Sequence, residues 1–177
     1  MILICSKLSS TYREIHVSNI RRLRDCQHVS VCDLTGIERF VVWAIRWRAS
    51  TDAADSFADS CLQDSFEQAG LQAAQPAFEG FMQIACSSRQ DCPAWQRLGC
   101  WRLNPLEAHS LHAIACLQSG LLGEAWTTLS RICSTCNAGR ALQYLEILAD
   151  NLQEAGGRIE RWQFDGTLAH SSSFKPA

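Results

Sequence analysis

The sequence predicts an all-α protein: a single compact domain of six or seven helices, with an irregular segment near residues 87–104. Two observations carry the prediction. Every strong apolar repeat follows the 3.6-residue period of a helix, and no run alternates with the two-residue period of a strand. The repeats are also bounded by helix-capping residues at their starts and by glycines at their ends. With 177 residues, the chain can bury roughly two-thirds of its surface, so neither disulfides nor metal are needed to hold a core.

After Ser9-Ser10, residues 11–25 place Tyr12, Ile15, Ile20 and Leu23 on a rough helical period. Thr35-Gly36-Ile37-Glu38 is a capping-box pattern, in which hydroxyl and carboxylate satisfy orphan N–H groups. Behind it, Ile37, Phe40, Val41, Ala44 and Ile45 form one stripe, while Trp43 and Trp47 extend the apolar surface around the helix. A helix apolar on most sides belongs at the centre of a fold, so this one is expected to be the most buried. A third helix spans residues 52–69. Ser50-Thr51 caps it, Asp52 and Asp55 suit its positive end, Phe57, Cys61, Leu62 and Phe66 point inward, and Gly70 stops it. Pro76 opens a fourth, with Phe78, Phe81, Met82 and Ala85 inward.

Residues 87–104 break the pattern and hold Cys92, Cys100, Trp95 and Trp101. Asn104-Pro105-Leu106-Glu107 then supplies a cap, a proline at the first helical position and a carboxylate at the third. That helix ends at Ser119-Gly120. The next runs from Leu122 to about Cys136 with Leu122, Trp126, Leu129 and Cys133 on one face. A last helix follows Gly139, turns Leu142, Leu145, Leu148 and Leu152 inward, and stops at Gly156-Gly157. The domain is expected to cover residues 1–162, and residues 163–177 to be a loosely ordered tail.

The turn around Gln118, Gly120, Glu124 and Ala125, with small residues at Ala113 and Ala125, resembles the inter-helix turn of one tetratricopeptide-type hairpin. No second copy recurs at the period of about 34 residues that such a solenoid requires. The segment is therefore read as an isolated αα-hairpin.

Hydrophobic residues make up 47% and charged residues 19%, a globular balance. A formal charge of −2 excludes a strongly basic coat, and with it the usual nucleic-acid partner. Residues 1–50 are nevertheless net positive and residues 51–80 are acidic with no base. The longest apolar run, Phe40 to Ile45, is far short of the roughly 20 residues that span a bilayer. The apolar start, Ile2 to Cys5, lacks the basic flank and length of an export signal. The expected compartment is the cytoplasm, and the ten cysteines are read as reduced thiols used partly as small hydrophobes.

Two cysteine–histidine sets are candidate metal sites. His109, His112 and Cys116 lie within roughly 60° on one helix face. An antiparallel hairpin would bring Cys133 near the level of His109, so His109, His112, Cys133 and Cys136 are the candidate zinc ligands of the N/S type that zinc prefers. The competing set is Cys86, Cys92 and Cys100, completed by His109 or His112 to clamp the irregular segment. The alternative in both cases is a set of packing thiols. Cys133-x-x-Cys136 as a redox pair is set aside, because a helix C-terminus disfavours the thiolate.

Arg39, Trp43, Arg46 and Trp47 share one flank of the second helix and are the candidate partner-binding residues, arginine beside indole giving cation–π contacts. The alternative is a buried helix whose arginines escape at its edge. Ile20-Arg21-Arg22-Leu23-Arg24 is an ordinary solvated basic stretch, and residues 37–47 are too apolar to lie in a DNA groove. No phosphate-binding loop, dinucleotide fingerprint, HExxH or GxSxG motif occurs. An enzyme would have to use segment 87–104 to line a site. The function expected from sequence is thus a non-enzymatic cytoplasmic protein that binds another protein as an adaptor or regulator, without a cofactor. The alternative is a small zinc-binding or thiol-sensing protein.

Overall fold

Two capping boxes set where the longest apolar stretches become helical. The Thr35 hydroxyl accepts the Glu38 N–H while the Glu38 carboxylate accepts the Thr35 N–H at 2.8 Å. Asn104 and Glu107 exchange the same bonds at 2.9 and 3.1 Å. Both boxes stand where the sequence places them. The computed structural model describes residues 20–23, 29–51, 56–87 and 95–164. Six α-helices occupy most of these: α1 Gly36–Ser50, α2 Ser56–Gln68, α3 Gln75–Ser87, α4 Pro105–Gln118, α5 Leu122–Ile132 and α6 Thr135–Glu154. The fold is all-α, and none of these helices is long and apolar enough to cross a membrane.

The centre of the fold is α4, not α1 as its sequence suggests. Every residue from Leu106 to Cys116 is buried. It packs against α1, α5 and α6, and α6 in turn lies along α3. The physical reason is size: Ala108, Ala113 and Ala115 let neighbours approach α4 from several sides, with Leu111 and Ile114 between them. In α1, Val41, Val42, Ala44 and Ile45 are buried, whereas Trp43 and Trp47 are only half-buried. α3 and α6 approach closely at Gly80, where a Cβ would lie 2.4 Å from the Tyr144 ring.

Two short strands lie outside the helical pattern. β1 (Ile20–Leu23) pairs in parallel with β2 (Arg161–Phe164), Ile20 opposite Arg161 and Leu23 opposite Phe164. The helix expected over residues 20–23 is corrected to a strand, and the first two residues of the expected tail, 163 and 164, belong to β2. Four-residue strands leave no periodic signal, and their pairing joins segments from opposite ends of the described chain. The remainder of the expected first helix, and the tail from residue 165, lie outside the described residues.

Other boundaries shift as well. α5 ends at Ile132, Ser134 caps α6, and Gly139 falls inside α6 instead of ahead of it. Residues 95–104 are non-helical, as expected. They are held by Val31 N–H donating to the Trp101 carbonyl at 2.7 Å and Leu103 N–H donating to the Val29 carbonyl at 3.0 Å.

Candidate functional site

His112 and Cys116 are one turn apart on α4, so their side chains point to the same side. Gly120, with φ of 73°, takes the left-handed conformation that reverses the chain, and Leu121 N–H returns to the Cys116 carbonyl at 2.8 Å. The reversal places Glu124, in the first turn of α5, against Cys116. At the same end of α4, the Gln118 side chain donates to the Gly157 carbonyl at 2.8 Å and accepts the Ile159 N–H at 2.9 Å. These bonds steer the chain into β2, whose Trp162 fills the core and donates its backbone N–H to His112 Nδ1 at 3.1 Å.

One ligand atom each from His112, Cys116 and Glu124 therefore meets within 4.8 Å of the others. Cys116 Sγ is 3.4 Å from His112 Nε2 and 3.8 Å from Glu124 Oε2. The bonds have a consistent direction. Because Nδ1 accepts from Trp162, the proton of the neutral imidazole is on Nε2, facing sulfur. The thiol hydrogen in turn faces the Glu124 carboxylate.

Burial lowers the His112 pKa to about 4, with the charges of His109, Arg161 and Arg131 acting the same way. Burial pushes the Cys116 thiol up to about 12, aided by the negative charge of Glu124 and opposed by Arg161. Near neutral pH both groups are uncharged, so the pair supplies neither a thiolate nucleophile nor a proton-accepting thiolate. It can relay hydrogen bonds from β2 to the surface, or give up the thiol proton and ligate a soft cation. Glu124 is exposed while His112 and Cys116 are buried, so the carboxylate is the side open to solvent.

Of the four zinc ligands expected from sequence, only His112 belongs to this cluster. No other group of three potential ligands assembles among the described residues. His109 is buried one turn earlier, its Nδ1 bonded to the Pro105 carbonyl. Cys133 is buried at the end of α5, its N–H donated to Leu129. Cys136 is exposed in the first turn of α6, 3.1 Å from the Ser134 hydroxyl. The set does not converge because α5 is shorter than its apolar pattern suggests, so residues 133–136 bridge two helices. The pair consequently does not share a helix C-terminus. Of the second set, Cys86 is exposed, Cys100 is half-buried and offers its carbonyl to Arg46, and Cys92 lies outside the described residues. Cys32, Cys61, Cys86, Cys100, Cys116 and Cys136 are not in disulfides.

The flank of Arg39, Trp43, Arg46 and Trp47 is not one open surface. Arg46 turns inward and pairs with Glu107. Trp43 and Trp47 stack at 5.7 Å, both half-buried, and the Trp47 indole donates to the Ala58 carbonyl at 3.1 Å. Arg39 alone of the four is exposed. A different apolar pair faces solvent. Leu122 is 50% exposed and Trp126 42%, one turn apart on α5, although the sequence stripe grouped them with the fully buried Leu129. A helical stripe does not distinguish the middle of a buried face from its edge.

Sequence reasoning found His112 with Cys116 but missed Glu124 and the Trp162 amide. Glu124 was visible in the hairpin turn; a backbone N–H carries no sequence signal. No family model matches this chain, and no characterised protein or solved structure gives a significant match.

Proposed function

We propose that this is a non-enzymatic cytoplasmic protein that binds another protein, and that the exposed flank of α5 is its recognition surface. One observation carries the reading: Leu122 and Trp126 stand together in water at the edge of a helix face whose middle is buried in the core. Isolated apolar residues are common on surfaces, but tryptophan is enriched among the residues that dominate binding energy. A partner presenting an apolar pocket of matching width would remove both side chains from water. The neutral His112–Cys116 pair argues for binding over catalysis, since neither group is ionised for nucleophilic chemistry near neutral pH.

Site-specific photocrosslinking in cells tests the reading. A photoreactive residue at position 126 should give a discrete protein adduct, and one at Gln143, an exposed polar position on α6, should not. The adduct should disappear when Leu122→Ser is introduced, with helical content unchanged. Adducts of equal yield from both positions, or none from 126, would overturn the proposal.

A further inference from the structure

We propose that His112 Nε2, Cys116 Sγ and a Glu124 carboxylate oxygen form a site for one soft divalent cation, zinc foremost, and that this cation competes with strand β2 for His112. The inference is independent of the α5 recognition flank. The donor set is one imidazole, one thiol and one carboxylate, from a helix turn and the hairpin that follows it. Zinc accepts each of these donors, with water completing a four-coordinate shell. The electrostatics close: thiolate and carboxylate together neutralise a dication, and access is from the exposed Glu124 side.

Competition with β2 follows from the direction of the hydrogen bonds. A metal-bound histidine uses one ring nitrogen for the metal and normally donates an N–H from the other. Here the other nitrogen, Nδ1, accepts the Trp162 N–H. Cation binding at Nε2 displaces the ring proton, which moves through solvent to Nδ1, and the Cys116 thiol releases one proton to solvent. Nδ1–H and Trp162 N–H then face each other as two donors, so their bond is lost. Removing β2 from α4 would relieve this donor clash.

The test uses the full chain, reduced and stripped of metal by a chelator, titrated with cobalt(II). A thiolate-to-cobalt absorption band should grow to one equivalent and be abolished by one equivalent of zinc. Cys116→Ser should remove the band. Glu124→Gln, at an exposed position that spares the fold, should weaken cobalt binding by about tenfold or more, at least the loss seen when supporting groups of a metal site are removed. Zinc should also speed hydrogen exchange at the Trp162 amide. No band at millimolar cobalt, or a band that survives Cys116→Ser and disappears in Cys136→Ser, would overturn the site. A one-to-one band with Trp162 exchange unchanged or slowed would overturn the competition.

Discussion

Arg46 and Glu107 form a bidentate ion pair inside the protein. Arg46 Nε and Nη2 donate to the two carboxylate oxygens of Glu107, both at 2.8 Å, with the two side chains 5% and 0% exposed. The same guanidinium donates to the carbonyls of Cys100 and Arg102. Glu107 also accepts the Asn104 N–H of its capping box. One pair thus joins α1, the start of α4 and the non-helical residues between α3 and α4. Removing one partner leaves a buried charge without compensation, a loss of about 3–5 kcal/mol. Arg46→Met and Glu107→Gln should each lower stability by that order in urea denaturation, and the double variant should lose less than their sum. Single variants within about 1 kcal/mol of wild type would show that the pair is peripheral to stability.

The His112 pKa of about 4 makes the fold sensitive to acid. In the unfolded chain the ring titrates near its ordinary 6.5. Between these values the unfolded state binds more protons, so stability falls as pH falls. The contribution is complete above pH of about 6.5 and is lost progressively toward about 4. For chelator-treated protein, the stability difference between wild type and His112→Gln should therefore shrink from pH 7 to pH 4.5 in thermal melts. A difference independent of pH would refute this.

Thiol reactivity should separate the cysteines by position. Cys116 is buried and its pKa is pushed up to about 12, and Cys133 is also buried, whereas Cys32 and Cys136 are exposed. Brief alkylation of the native protein, read by peptide mass spectrometry, should label Cys32 and Cys136 first. Cys116 labelled as fast as Cys136 would contradict the buried placement.

Gly80→Ala should destabilise, although alanine is the better helix former by about 1 kcal/mol. The added methyl would lie 2.4 Å from the Tyr144 ring, and overpacking of this kind costs about 1–3 kcal/mol. Combining it with Tyr144→Ala should restore part of the loss in a double-mutant cycle. A more stable Gly80→Ala would mean that the α3–α6 contact yields easily.

Local signals were readable in the sequence and long-range ones were not. Thr35/Glu38 and Asn104-Pro105/Glu107 gave two helix starts to the residue, because a cap is a bond between near neighbours. The i, i+4 pair His112–Cys116 was readable for the same reason. Arg46 looked like a surface cation because its partner is 61 positions away. The central role of α4 was hidden by its alanines, which look unremarkable in a pattern of large apolar residues. Glu124 joins the site through a hairpin, and Trp162 through its backbone.

The pairing of β1 with β2 puts order into the making of the protein. During synthesis residues 20–23 leave the ribosome long before residues 161–164, so β1 must wait for its partner until α1 to α6 have emerged. Parallel pairing across so long a loop is slow, since chain entropy is spent before the contact returns anything. Trp162, the bulkiest fully buried side chain among the described residues, arrives with β2. A chain that ends before Trp162 therefore lacks both that side chain in the core and the amide that meets His112.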